Sequence, residues 1–254
     1  MVGQRPCRGG ILLIGGEPGV GKTRLAEECL ARGQDLGMLT LVGHAYEERG
    51  APFIVAVEII EELLRVLPEA VLKRVLGDSG AEIARLVPTL RDRFPGLPPP
   101  LELAPEQQQR YLFNALLDLT RRLGNTVPCV ILLDDLHWAD ESSMALIEHI
   151  APHVASLPLL YVMTYRDVAA DMGQPFRRAL AAFNRLPFAG KIPLRQLTVD
   201  DVAELLLVLG GHDPPENLVN IIFEESGGNA LYVQSMYQSL AEEDRLFNPD
   251  GTWR

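Results

Sequence analysis

Short, continuous runs of apolar residues mark the chain up to about residue 195. Such a run is typical of a strand buried on both faces of a parallel sheet. Strands are predicted in this way at residues 10–15, 38–43, 127–135, 159–166 and 191–194. Between them, apolar residues recur every three or four positions, which predicts helices at about residues 23–31, 53–67, 69–77, 81–87, 105–123 and 142–151. This alternation predicts an α/β fold, with a mostly parallel sheet flanked by helices.

From Thr198 onward the apolar spacing is helical only. Thr198-Val199-Asp200-Asp201 is a typical helix start, because a threonine can cap the first turn and acidic residues favour it. Glycine pairs then divide the segment into three helices, which end near residues 209, 225 and 243. We therefore predict a sheet domain at residues 1–195, a small all-helical lid at 196–245, and the start of a further, truncated domain at 246–254.

Composition narrows the function classes. The formal net charge is −11, which argues against direct nucleic-acid binding by this segment, because phosphate neutralisation needs clustered Lys and Arg. No apolar run reaches the roughly 18 residues of a membrane span, and the first residues lack the apolar stretch of a secretory signal. The 3 cysteines form no disulfide framework. We expect a cytoplasmic protein without a membrane partner.

A glycine-rich loop joins the first predicted strand to the first predicted helix. It has the spacing G-x-x-x-x-G-K-[ST] and reads Gly16-Glu17-Pro18-Gly19-Val20-Gly21-Lys22-Thr23. Its glycines let successive backbone N–H groups point at phosphate oxygens. Lys22 can reach the β- and γ-phosphates, and the Thr23 hydroxyl can hold Mg²⁺. We predict that residues 16–23, with Arg24 at the start of the helix, bind ATP or ADP, and that Lys22 also acts in catalysis.

The third predicted strand ends in two carboxylates. Asp134 and Asp135 follow the apolar run Val130-Ile131-Leu132-Leu133. A phosphate loop leaves Mg²⁺ without an acidic partner, and an acid at the end of a neighbouring strand supplies one. Asp134 is therefore the predicted metal partner, together with Thr23, and Asp135 the predicted catalytic base that polarises water. Glu47, after the second strand, is the alternative base.

The residues around these acids resemble a known family. Leu132-Leu133-Asp134-Asp135-Leu136-His137-Trp138-Ala139-Asp140-Glu141-Ser142-Ser143 resembles the extended Walker B segment of signal-transduction ATPases with numerous domains (STAND). The chain resembles in particular the AAA-type modules of large LuxR-family regulators and of multidomain class III nucleotidyl cyclases. Tyr165-Arg166, the segment after Leu194, and Ser226-Gly227-Gly228-Asn229-Ala230-Leu231 resemble further segments of those proteins. The resemblance implies a P-loop NTPase fold of the ASCE type.

The resemblance also implies roles and partners. Arg166 stands at the position of the family's sensor arginine, which reports the loss of the γ-phosphate; its alternative is a surface arginine paired with Asp167. Ala230 stands where relatives have proline. His137 and Trp138 are interpreted as structural residues that order the turn after the acids. Relatives continue into a winged-helix domain, which implies that residues 246–254 begin one and that further domains of a parent chain are partners.

Four functions follow as hypotheses. The first is a slow ATPase that acts as a regulatory switch, binding ATP–Mg²⁺ between the sheet domain and the lid, with nucleotide-dependent self-association as an option. The second is a remodelling or origin-binding ATPase of the AAA+ type that works as a ring. The third is a small-molecule kinase, which the helical C-terminal part disfavours. A scaffold that only holds ADP is the fourth.

Overall fold

A computed structural model describes residues 9–47, 52–168, 171–243, 246 and 253. Its strands are β1 (Gly10–Gly16), β2 (Leu39–His44), β3 (Cys129–Asp134), β4 (Leu159–Arg166) and β5 (Ala189–Pro193). Its helices are α1 (Lys22–Asp35), α2 (Ile54–Val66), α3 (Glu69–Leu76), α4 (Gly80–Ile83), α5 (Thr89–Arg93), α6 (Pro105–Thr126), α7 (Glu141–Ile150), α8 (Gln174–Phe183), α9 (Val199–Gly210), α10 (Glu216–Ser226) and α11 (Ala230–Glu242). Most of the predicted 246–254 segment lies outside the described residues.

The five strands form one sheet in the order β2-β3-β4-β1-β5. β3 is parallel to both β2 and β4, with His44 opposite Asp134 and Leu133 opposite Met163. All six residues of β3 are buried, because helices cover both faces of a parallel sheet and leave it no solvated side. The predicted α/β class and P-loop NTPase fold are confirmed. The carboxyl ends of β2, β3 and β4 meet at the same edge, so residues that follow these strands become neighbours.

Helix α8 was not among the sequence predictions, which include no element between residues 166 and 191. Gly173 and Pro175 suggest a loop there, but Pro175 lies in the first turn of α8, where its missing N–H has no intrahelical partner to lose. Phe176, Ala179 and Phe183 are buried at helical spacing. The predicted helix at 81–87 is also shorter than expected, since α4 ends at Ile83.

The chain divides into two compact units. The first consists of residues 1–14 and 23–192, and the second of residues 15–22 and 193–254. The core of the first unit packs helices such as α2, α6 and α7 against the sheet through side chains that include Leu63, Leu123 and Ile147. Among the described residues, no helix is long and apolar enough to cross a bilayer.

The second unit contains α9, α10 and α11 around a small core of Val202, Leu206, Val219, Ile222 and Val233. Helix α9 begins with a capping box in which the Thr198 hydroxyl accepts from the Asp201 N–H and the Asp201 carboxylate accepts from the Thr198 N–H. These reciprocal bonds satisfy donors that the first turn leaves open. The same unit contains the glycine-rich loop, residues 15–22.

Candidate functional site

The glycine-rich loop has the backbone that its sequence predicts. Gly19 and Gly21 have φ angles of 76° and 100°, a region that side chains other than glycine adopt at a cost. Helix α1 begins at Lys22, whose ammonium group donates to the Glu17 carbonyl at 2.8 Å. A Cβ at Gly16 would lie 2.9 Å from the Leu194 carbonyl oxygen, so glycine is required for this close approach. The backbone of the loop therefore depends on glycine at these three positions.

Two of the loop's carbonyl groups are hydrogen-bonded by the start of α11. The Asn229 side-chain amide donates to the Pro18 carbonyl at 2.9 Å, and the Leu231 N–H donates to the Gly19 carbonyl at 3.1 Å. The Asn229 side-chain oxygen also caps α11 by accepting from the Leu231 N–H at 3.1 Å. The Asn229 side chain thus bonds the loop through its nitrogen and caps the helix through its oxygen. The sequence alone gave Asn229 no role of its own.

Other predicted nucleotide-binding residues differ in their exposure. The Glu17 carboxylate accepts from the Gln196 side-chain amide at 2.8 Å. Val20 is buried, while the side chain of Arg24, in the first turn of α1, is 76% exposed and paired with Glu28. The Arg24 guanidinium is therefore open to solvent, and its contact with nucleotide stays a prediction.

Thr23 and Asp134 are brought together in the first unit, as the metal prediction requires. The Thr23 hydroxyl lies 3.3 Å and 3.5 Å from the two carboxylate oxygens of Asp134. Asp134 is buried, with 5% of its surface exposed. A hydroxyl and a carboxylate are the hard oxygen donors that Mg²⁺ takes, and such a site is usually completed by phosphate oxygens and water. The donor set fits the predicted ion, and these residues' metal role stays a prediction.

Thr164 of β4 links the two acids and was missed by the sequence analysis. Its hydroxyl donates to the Asp134 carboxylate and accepts from the Asp135 N–H at 2.8 Å. Thr164 is fully buried. The available signal was a threonine near the end of β4, one residue after Met163. Met163 pairs with Leu133, the residue before Asp134. Thr164 fixes the acids relative to each other.

Asp135 has an unusual backbone that turns the chain sharply after β3. Its φ angle is 55°, in the left-handed region where aspartate is more tolerated than most residues. Its carboxylate lies 3.8 Å from His137 Nδ1. Glu47, the alternative base, is exposed and lies three residues after His44, the partner of Asp134 in the sheet. The choice between Asp135 and Glu47 as base stays open.

Arg166 ends β4 and contacts the turn after the acids. Its backbone N–H donates to His137 Nδ1 at 3.4 Å. Its guanidinium carbon lies 4.5 Å from the centre of the Trp138 ring. Its ion-pair partner is Asp171, at 3.6 Å. Asp167, the partner considered from the sequence, instead accepts from Lys191 at 3.4 Å.

Tyr165 separates Thr164 from Arg166 and is fully buried. Burial raises the pKa of the Tyr165 phenol, although the neighbouring Lys191 ammonium acts in the opposite direction. The neighbouring Tyr165 side chain in turn raises the pKa of Lys191. Tyr165 is thus a neutral phenol at physiological pH, and the charge at this end of β4 belongs to Arg166, Lys191 and the carboxylates that face them.

The profile of the AAA ATPase domain matches residues 3–162 of the chain. The match covers more than half of the sequence and includes the glycine-rich loop and both acids. This chain belongs to the AAA ATPase domain family. The resemblance to AAA-type P-loop ATPases is thereby confirmed.

Solved structures share the fold of this AAA ATPase domain. One is a STAND protein with a tetratricopeptide repeat sensor from Pyrococcus horikoshii, with TM-score 0.51 and 13% identity over 92% of this chain and 29% of that one. The ORC2 protein of Aeropyrum pernix, in ADPNP and ADP complexes, gives TM-score 0.51 and 13% identity over 93% and 58% of the two chains. AMPPCP-bound DnaA from Aquifex aeolicus gives TM-score 0.50 and 11% identity over 92% and 55%.

A curated relative is much longer than this chain. An uncharacterized protein of Rhizobium meliloti (strain 1021) is 28% identical over 263 aligned positions, which cover 92% of this chain and 23% of that protein. This chain therefore spans about a quarter of the length of this relative.

Proposed function

We propose that this chain is the ATP-binding, slowly hydrolysing switch module of a larger signalling or transcription-regulating protein. The observation that carries the proposal is the pair of hydrogen bonds from Asn229 and Leu231 to the carbonyls of Pro18 and Gly19. A change in the loop's peptide groups on nucleotide binding must alter these bonds. The loop thereby couples nucleotide state to the helical unit, which is what a switch needs.

The residues divide the work as follows. The loop N–H groups and Lys22 bind the phosphates, as such loops do. Thr23 and Asp134 would hold Mg²⁺, which supplies charge neutralisation for the phosphates when bound. Asp135 accepts the proton of the attacking water, and Thr164 keeps Asp135 beside Asp134 through the two hydrogen bonds of its hydroxyl. Arg166 contacts the γ-phosphate and responds to its loss.

The proposed partners follow from the length of the relative and the family resemblance. Further domains of a parent chain would receive the signal, and self-association in one nucleotide state is the proposed oligomeric response. The cytoplasm is the proposed setting, from the sequence composition. We propose no role in nucleic-acid binding for this segment because its net charge is −11.

The first experiment is titration of the chain with ATP and ADP in the presence of Mg²⁺, by calorimetry. Lys22→Ala removes a charge-assisted bond to phosphate, worth about 1.5–3 kcal/mol, and should weaken ATP binding about 10- to 100-fold. Lys73→Ala is the matched control, since it removes another lysine, which is exposed and pairs with Glu69. Equal affinities for the wild type and Lys22→Ala would refute the site.

A second measurement separates a switch from mere binding. Amide hydrogen exchange of α11 should differ between the ATP-bound and ADP-bound chain, because the Leu231 N–H bonds the loop directly. Identical exchange in both states would refute the proposed switch but not the proposed ATPase activity. Turnover that rises steeply with protein concentration would instead favour a ring-forming remodelling ATPase.

A further inference from the structure

The turn after the acids packs closely against the end of β4. After Asp135, a single turn of 3-10 helix spans Leu136–Trp138. The Trp138 backbone N–H donates to the Asp135 carbonyl at 2.9 Å. The His137 and Trp138 rings lie 4.5 Å apart. His137 is buried and accepts from the Arg166 N–H. The position of the Trp138 ring is therefore set by the backbone that carries the acids.

The guanidinium of Arg166 is held in two ways at this turn. Its guanidinium carbon lies 4.5 Å from the centre of the Trp138 ring, a cation–π contact, while Nη1 lies 3.6 Å from an Asp171 carboxylate oxygen. The two charged side chains are 29% and 33% exposed. The contact of Arg166 with the Trp138 ring is stronger than its ion pair with Asp171, because a partly exposed ion pair at this distance is screened by water. Asp171 is therefore an exchangeable partner, and Trp138 a fixed one.

We propose that Trp138 is the positioning residue for Arg166, and that Asp171 competes with a nucleotide phosphate for the same guanidinium. Stacking occupies the face of the guanidinium and leaves its edge N–H groups for an oxygen anion. A carboxylate and a phosphate are alternative acceptors of those N–H groups. Arg166 thus exchanges Asp171 for phosphate while it stays on the Trp138 ring. The inference rests on the proposed function and names how its sensor residue is held.

The competition is tested by the ratio of ATP to ADP affinity, measured with fluorescent-labelled nucleotides. Asp171→Asn removes the competing charge and should raise ATP affinity about two- to five-fold, the range of a partly exposed ion pair, and leave ADP affinity unchanged. Asp167→Asn is the matched control, because Asp167 is a nearby carboxylate that pairs with Lys191. An unchanged ratio in Asp171→Asn, or the same rise in Asp167→Asn, would overturn the competition.

The stacking role is tested by Trp138→Ala and Trp138→Phe. Trp138→Ala should lower ATP affinity relative to ADP, and Trp138→Phe should restore most of the ratio because a phenyl ring still stacks on arginine. A merely structural tryptophan would move both affinities together. Equal loss for ATP and ADP in Trp138→Ala, or no recovery in Trp138→Phe, would overturn the role of Trp138 even where Trp138→Ala folds poorly.

Tryptophan emission gives a readout independent of hydrolysis. The chain has 2 tryptophans, so Trp253→Phe leaves Trp138 as the reporter. ATP should change its emission more than ADP, and Arg166→Gln should abolish the difference. An emission change that survives Arg166→Gln would overturn the stacking assignment. ATP binding that depends on Lys22 but leaves these ratios unmoved would refute only this inference, whereas no ATP binding at all would refute the proposed function with it.

Discussion

Replacing Gly19 by alanine tests the contact between the phosphate loop and α11. A Cβ built at Gly19 would lie 2.5 Å from the Asn229 side-chain oxygen and 3.0 Å from its nitrogen. Both distances are too short for Asn229 to stay in place. The alanine would also have to adopt the φ angle of 76° that glycine has there. The substitution therefore adds backbone strain and displaces the side chain that joins the loop to the helix.

The backbone strain and the displacement of Asn229 differ in size and act at different residues. An L-residue in the left-handed region costs about 1–2 kcal/mol. Displacing Asn229 removes its bond to the Pro18 carbonyl, worth about 1 kcal/mol, and the cap of α11, worth about another 1 kcal/mol. Gly19→Ala should therefore destabilise the start of α11 by about 3–4 kcal/mol, of which about 2 kcal/mol passes through Asn229.

Gly21→Ala is the matched control. Gly21 has a φ angle of 100°, and a Cβ added to it would meet no atom of the described residues within 4 Å, so only the strain of about 1–2 kcal/mol applies. The assay is amide hydrogen exchange of the Tyr232 and Val233 N–H groups without nucleotide, in the single variants and in an Asn229→Ala background. The Asn229→Ala background should remove about 2 kcal/mol from the effect of Gly19→Ala and nothing from that of Gly21→Ala. Equal effects of both glycine substitutions in both backgrounds would refute the contact.

Two further predictions concern the acids and the helical unit. Thr164→Val should destabilise the first unit by about 1–3 kcal/mol in urea unfolding and weaken the Mg²⁺ dependence of ATP binding, because the Asp135 N–H and the Asp134 carboxylate each lose a partner. Thr164→Ser keeps the hydroxyl and should behave like the wild type. Equal losses in both variants would contradict this role. Hydrogen bonds from Thr198 lower the pKa of Asp201 below its ordinary 3.8, so the capping box stabilises α9 above that pH and is lost as the pH falls through the lower folded-state pKa. Asp201→Asn should flatten the acid-induced loss of helical circular dichroism, and an unchanged pH profile would contradict the linkage.

The order of elements was predictable because local signals agree with the global fold. Buried parallel strands have continuous apolar runs, and the strand β3 is such a run with all six residues buried. Helix α8 was missed because Gly173 and Pro175 are compatible both with a loop and with the first turn of a helix. Only the packing of Phe176 and Phe183 into the core resolves that ambiguity.

The candidate site was predictable where one peptide segment contains the chemistry, as in the glycine-rich loop and the Asp134-Asp135 pair. Thr164 could not be found in this way, because its importance comes from the register of β3 and β4. Asn229 is separated from Pro18 by 211 residues, and an asparagine before a helix has a sufficient local explanation as a cap. The boundaries at residues 195 and 245 and the roles of the individual site residues stay predictions.

The contact at Asn229 follows from the hydrogen-bonding requirements of the loop itself. Each peptide group has one donor and one acceptor on opposite sides, so a loop that turns its N–H groups toward phosphate turns carbonyl groups away from it. Those carbonyls accept hydrogen bonds from water or from other parts of the chain. In this chain the carbonyls of Pro18 and Gly19 accept them from Asn229 and Leu231. Any anion that reorients a loop N–H must therefore move the carbonyl behind it, and the first turn of α11 is bonded to that carbonyl.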